Sequence, residues 1–311
     1  MKKELCSVVV PCMNEEDTIP IFYDIITKIA VEELSQLDFE FWFIDDGSVD
    51  TTLEVIKGLK EKDSRVHFVS FSRNFGKEAG IYAGLEHSNG DYAVIMDVDL
   101  QDPPELLKDM YRIICEEGYD CVAARRVDRK GEPPIRSFFA RKFYKLISRI
   151  SDADIVDGAR DYRLMKRQMV KSILSVGEYN RFSKGIFGWV GFRTKWLEIN
   201  NVERSAGETK WSFWKLVLYA IDGIIAFSTL PLSIASFIGL MCCVLALIGV
   251  VFIFVRALIF GDPVAGWPSI VCIVTLLGGI QLLCMGIIGM YLSKAYLETK
   301  HRPIYISKEE G

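Results

Sequence analysis

At residues 92–104 the sequence reads Tyr92-Ala93-Val94-Ile95-Met96-Asp97-Val98-Asp99-Leu100-Gln101-Asp102-Pro103-Pro104, an apolar run closed by three carboxylates and an amide. A short apolar run bounded by turn residues is the pattern of a strand buried on both faces. The prolines that follow suit the opening of a helix. The acidic residues therefore stand at the carboxyl end of a buried strand. Asp97 and Asp99, one residue apart, can both reach one divalent cation, and the amide oxygen of Gln101 can complete the set. Oxygen ligands of this kind suit Mg2+ or Mn2+. Asp is common in turns, so the pair gains its meaning from the strand before it.

The same unit recurs on both sides of this stretch. Strands are expected at Ser7–Val10, Phe39–Ile44, Val66–Phe71, Tyr92–Met96 and Cys121–Ala124, and helices at Thr18–Leu34, Thr51–Lys62, Lys77–Glu86 and Pro104–Glu117. Alternating strands and helices predict a mostly parallel sheet with helices on both faces, a Rossmann-like α/β domain. Such sheets bind ligands beyond the carboxyl ends of their strands. Polar clusters sit at those ends: Asn14-Glu15-Glu16, Asp45-Asp46-Gly47-Ser48, Arg73-Asn74 and Asp97-Val98-Asp99. Together they predict one cleft lined by carboxylates. Asp46 is placed to accept hydrogen bonds from a ribose or base, while Ser48 or Asp50 is equally suited to cap the next helix.

Beyond residue 125 the composition changes. Arg136, Arg141, Lys142, Lys145 and Arg149 alternate with Phe139, Phe143, Leu146, Ile147 and Ile150. On a helix the apolar set shares one face, so 136–150 reads as an amphipathic helix lying in a membrane interface, or else packed on the sheet. Residues 155–200 read as short strands with one helix, Arg204–Lys210 as a polar loop, and Trp211–Asp222 as an aromatic-rich helix. No charged side chain occurs from Gly223 to Val255 or from Pro263 to Ser293. Each run exceeds the roughly 20 residues that cross a bilayer as a helix. Two transmembrane helices are therefore expected, at about 230–255 and 267–292, after a catalytic part spanning 1–222. Lys294, Lys300, Arg302 and Lys308 in the 294–311 tail favour cytoplasmic placement of both termini and of the catalytic domain at the plasma membrane.

Several function classes fall away. The formal net charge of −4 gives no support for nucleic-acid binding. The eight cysteines form no CxxC pair, which fits reduced structural thiols. No GxxxxGK[ST], GxGxxG after the first strand, or HExxH is present, and His67, His87 and His301 stand apart from any Cys or Ser motif. The N-terminus reads as a strand rather than a signal peptide.

The segments Val8–Glu16 (VVVPCMNEE), Phe43–Thr52 (FIDDGSVDTT), Ser70–Gly80 (SFSRNFGKEAG) and Ile95–Glu105 (IMDVDLQDPPE) resemble family 2 glycosyltransferases. They are similar to the branch holding dolichyl-phosphate mannose synthases and bacterial polyprenyl-phosphate (bactoprenol) glucosyltransferases, as are Asp161–Met165 and Arg204–Lys210. The resemblance covers about residues 5–222 and implies a GT-A fold and inverting transfer of a hexose to polyprenyl (undecaprenyl) phosphate. The nucleotide-sugar donor it implies is UDP-glucose first and UDP-N-acetylglucosamine second. By it, Pro11, Asn14, Glu15, Asp46 and Asp97 bind the donor. Asp97, Asp99 and Gln101 hold Mg2+ or Mn2+, and Asp102 and Asp161 are catalytic or orient substrate. Arg163, Arg204 and Lys210 face the acceptor phosphate. A processive polysaccharide synthase lacks support, since no QxxRW motif occurs and two spans enclose no pore. A non-catalytic adaptor or flippase component fits poorly with intact acidic clusters. Self-association into a homo-oligomer is left open by the sequence.

Overall fold

The computed structural model describes residues 3–127, 156–199, 225, 228–260 and 266–311. The expected interfacial helix at 136–150, Arg204, Lys210 and Trp211–Asp222 lie outside the described residues. The chain divides into two compact units, Met1–Ala220 with Arg302–Gly311, and Ile221–His301.

In the first unit the strands are β1 (Glu4–Cys12), β2 (Leu37–Asp45), β3 (Val66–Phe71), β4 (Tyr92–Ile95), β5 (Cys121–Arg126), β6 (Ala159–Lys166), β7 (Thr194–Ile199) and β8 (Ser307–Glu310). They form one sheet in the order β7-β5-β6-β4-β1-β2-β3-β8. Pairings β1–β2, β1–β4, β2–β3 and β5–β7 are parallel, while β6 runs antiparallel to β4 and β5. The helices are α1 (Thr18–Glu32), α2 (Thr52–Lys62), α3 (Lys77–His87), α4 (Leu106–Glu117), α5 (Arg167–Ser175) and α6 (Ser183–Trp189). The 155–200 segment thus holds two helices where one was expected, the second only seven residues long. So short a helix spans about two turns, too few for hydrophobic periodicity to show.

Apolar side chains of α1, α2 and α4 (Phe22, Ile26, Ile56, Leu107, Met110) pack with one face of the sheet, including Val8, Val10, Phe41 and Phe43. Ile44, Val69 and Phe71 look the other way, toward Ala79 and Ala83 of α3. This inward–outward alternation is the period-2 rule of a strand buried on both faces. Helix α3 sits unusually close to β1. A Cβ on Gly84 would lie 2.2 Å from Val9 Cγ1, so only glycine permits this approach. The close packing carries the first turn of α3, and Lys77 with it, to the carboxyl end of the sheet.

The 294–311 tail, in which no strand was expected, returns to the sheet. Its last residues form β8, antiparallel to β3, and Lys57 pairs with Glu309 at 2.7 Å. Tyr305 stacks on Phe71 with ring centroids 4.9 Å apart, and its hydroxyl donates to Glu86 at 2.7 Å. The short, charged Ser307-Lys308-Glu309-Glu310 run hides a strand because edge strands tolerate exposed charge.

The second unit contains α7 (Leu230–Phe260) and α8 (Trp267–Thr299). At 31 and 33 residues they are longer than the expected spans, and at about 1.5 Å per residue they exceed the roughly 30 Å of a hydrocarbon core. Both are long and apolar enough to cross a membrane. Among the described residues many of their apolar side chains stand exposed, Leu282 at 72%, which a core helix of a soluble domain would not tolerate. Tyr291 of α8 donates to the carbonyl of Ser228, two residues before α7, at 2.6 Å, tying α8 to the start of the first apolar helix.

Candidate active site

The loops after β1 and β2 are organised by backbone amides. Asn14, at φ 55°, donates its N–H to Ser48 Oγ at 2.9 Å and accepts from the Val49 N–H at 2.9 Å. The Glu15 N–H donates to Thr52 Oγ1 at 2.8 Å, and Thr18 Oγ1 donates to the Glu15 carboxylate at 2.6 Å. Pro11, near the end of β1, lies under Gly80 of α3. Asp46 is buried and accepts the N–H groups of Phe75 at 2.6 Å and Gly76 at 2.9 Å. Burial raises the Asp46 carboxyl above its ordinary value, with the two amides opposing. Gly47, at φ 67°, lets the β2 loop pass the Arg73–Asn74 backbone, where a Cβ would come within 2.6 Å.

The loops after β4 and β6 are organised by cations. Ile95 pairs with Arg163 across the antiparallel ladder, so two residues further on Asp97 comes level with Asp161. Lys77 Nζ lies 2.7 Å from Asp97 Oδ1 and 2.6 Å from Asp161 Oδ2. Burial disfavours ionisation of Asp161, but Lys77, followed by Lys184, outweighs it and holds the carboxyl well below the usual range. The adjacent β6 residues face the other side of the sheet. Arg160 Nε donates to Asp102 Oδ1 at 2.8 Å and Oδ2 at 3.1 Å, and Tyr162 donates to the Pro104 carbonyl at 3.2 Å. Burial raises the Asp102 carboxyl, with Arg160 opposing.

Leu100 adopts φ 55°, rare for a branched residue, and turns the chain sharply between Asp99 and Gln101. Asp99 Oδ1 accepts the Gln101 N–H at 3.2 Å. Of the three expected metal ligands, Gln101 has its Oε1 3.5 Å from Arg160 Nη2. Among the described residues no group of three His, Cys, Asp or Glu side chains converges on one point. Asp97 and Asp99 still offer hard oxygen donors, and the Lys77 ammonium against Asp97 shows that a cation fits there. The pair suits an ion that takes its remaining ligands from phosphate oxygens and water, the habit of Mg2+.

Arg163 requires a correction. It is 2% exposed, its guanidinium lies 3.7 Å from the centre of the Phe187 ring, and Nη2 donates to the Arg160 carbonyl at 2.8 Å. It underpins the site from within the core instead of facing an acceptor phosphate, because its place on β6 aims it beneath α6. Lys77 and Arg160 were not singled out as site residues; Lys77 stood inside the SFSRNFGKEAG motif, and Arg160 beside Asp161. Glu78 was missed too. It accepts the Ser183 N–H at 2.8 Å and the Ser183 hydroxyl, joining the start of α3 to that of α6.

The pattern described as "Glycosyl transferase family 2" matches residues 7–174. The chain is 41% identical over 304 residues to the bactoprenol glucosyl transferase of Shigella phage SfV, covering 98% of each chain. It is 43% identical over 302 residues to the prophage bactoprenol glucosyl transferase homolog of Escherichia coli (strain K12), covering 97% of this chain and 98% of that one. Among solved structures, glucosyl-3-phosphoglycerate synthase from Mycobacterium tuberculosis, in complex with Mn2+, UDP-glucose and phosphoglyceric acid, matches with a TM-score of 0.50. The match covers 71% of this chain and 78% of that one at 19% identity, a likeness of fold. With a GT-A-like sheet, acidic strand ends and a match over more than half its length, the chain belongs to glycosyltransferase family 2.

Proposed function

We propose that the protein transfers a glucosyl group, with inversion, from UDP-glucose to a polyprenyl phosphate at the cytoplasmic face of the cell membrane. The observation that carries this reading is the near full-length similarity to bactoprenol glucosyl transferases, which includes both apolar helices as well as the acidic cleft.

In this reading Pro11, Asn14, Glu15 and Asp46 shape the nucleotide end of the cleft. Asp97 and Asp99 hold a divalent ion, Mg2+ or Mn2+, which when bound supplies Lewis-acid stabilisation to the departing diphosphate. The acceptor phosphate is already anionic near neutral pH, so a strong general base is unnecessary. The task left to the protein is bringing two anions together. Arg204 and Lys210 take that role by pairing with the acceptor phosphate, and Arg163 leaves it. Asp161, level with Asp97, lies where the reacting groups would meet. Asp102, closed by Arg160, acts by holding the loop that bears Asp99 and Gln101.

The orientation has support of its own. Strand β8 follows both apolar helices in sequence yet pairs with β3 of the catalytic sheet. That pairing supports a reading in which the segments before α7 and after α8 share one side of the membrane, as two crossings would require. Incubating the full chain with undecaprenyl phosphate and a panel of radiolabelled nucleotide-sugars tests the reading. UDP-glucose should label the lipid in a reaction that EDTA stops. A panel in which no nucleotide-sugar labels the lipid overturns it.

A further inference from the structure

Two ion pairs close the acidic cleft, and they are built differently. Arg160 is 24% and Asp102 6% exposed at the side chain, and the fork-like contact of Nε with both oxygens makes a fixed pair. Lys77 is 44% exposed at the side chain, and its single ammonium is shared between Asp97 and Asp161. A lysine is a point charge on a flexible stem, and an exposed one gives up a partner at little desolvation cost. Asp97 is also the residue through which, on the function proposed above, the divalent ion binds. Lys77 and that ion therefore claim the same carboxylate oxygens.

We propose that Lys77 is an internal counter-ion that occupies the cation position on Asp97 and yields it to the divalent ion arriving with the nucleotide-sugar, keeping its bond to Asp161. The consequence is a coupling. Metal alone must displace an ammonium from Asp97, so it binds weakly. Metal arriving with a diphosphate gives the displaced ammonium new anionic oxygens to meet, so the two ligands favour each other. Linkage makes that coupling equal in both directions. Lys77 thereby keeps Asp97 and Asp161 from repelling each other before the donor arrives.

The test is a Mn2+ titration of the detergent-solubilised full chain followed by electron paramagnetic resonance, with and without UDP. The wild type should bind Mn2+ weakly alone and much more tightly with UDP. Lys77→Met should bind Mn2+ alone about tenfold or more tighter than the wild type, the size of one lost charged contact, and should gain less from UDP. Lys77→Gln, which keeps a hydrogen-bond donor near both carboxylates, guards against a folding defect and should move the same way. Lys77→Arg keeps the charge and should stay near the wild type. Equal or weaker Mn2+ binding by folded Lys77→Met and Lys77→Gln overturns the proposal, because a lysine that merely braces the loop predicts that result. Should the wild type bind no Mn2+ even with UDP, the metal assignment itself fails and takes this inference with it.

Discussion

The two halves of the cleft satisfy their carboxylates by different means. After β1 and β2, Asp46, Asp45 and Glu15 accept from backbone N–H groups and hydroxyls: Phe75 and Gly76, Ser48 and Ser70, and Thr18. After β4 and β6, Asp97, Asp161 and Asp102 are met by Lys77 and Arg160. Backbone donors cannot leave without unfolding a loop, so the first half is a preformed mould. Side-chain cations can swing away, so the second half is able to exchange one positive partner for another. A site that must accept a nucleotide whole, and then stabilise charge that moves, gains from having one half of each kind.

The largest expected effect lies in the exchangeable half. Asp99→Asn, like Asp97→Asn, should reduce glucosyl transfer by about a thousandfold or more while far-UV circular dichroism stays unchanged, because a neutral amide is a poor ligand for a hard cation. Full transfer by Asp99→Asn would remove the metal from that half and collapse the contrast. Next comes the fixed pair. Arg160→Met leaves Asp102 buried without its partner, a loss of about 3 kcal/mol or more, read as a lower melting temperature. Adding Asp102→Asn should recover part of it, and no recovery would mean that Arg160 braces the loop independently of Asp102.

In the preformed half, Asp46→Ala should weaken UDP binding by about tenfold or more in calorimetry, since the Phe75 and Gly76 amides lose a charged acceptor worth about 1.5–3 kcal/mol. Undiminished UDP affinity would show that the loop keeps its shape without it. The smallest effect concerns Glu78. Burial, its largest influence, and then the nearby Asp161 raise its carboxyl above the ordinary value, against the bonds from Ser183. The folded state thus binds this proton more tightly than the unfolded one. Its contribution is present below about pH 4.5 and is lost as pH rises through the higher folded value. Glu78→Gln should flatten that decline in thermal melts taken from pH 4.5 upward, and an unchanged slope would assign the decline to other groups.

How far the chain could be read from its letters varies by element. The strands β1 to β5 and helices α1 to α4 were legible because apolar runs alternate with amphipathic ones, and the acidic clusters fall where parallel strands end. Asp97 and Asp161 were named separately, yet nothing local told that an antiparallel β6 would set them level, 64 positions apart in sequence. Arg163 was misjudged for the same reason. Its charge is visible, but its burial under Phe187 depends on strand parity and on a helix of two turns. Lys77 was hidden by distance too, as its partner Asp161 comes from the far end of the domain. Arg204 and Lys210 lie outside the described residues, so their part in the site stands on the sequence.

The return of the chain as β8 has a consequence for biosynthesis. The outer edge of β3 takes its last partner from the segment 306–311, which emerges from the ribosome after both apolar helices have been made. Until then β3 offers unpaired N–H and C=O groups, a surface prone to recruit the wrong strand. The sheet is therefore completed by an event that follows synthesis of both apolar helices, and Tyr305 docks on Phe71 as part of the same closing step. A nascent chain halted before residue 300 holds every acidic residue of the cleft and still carries an open edge.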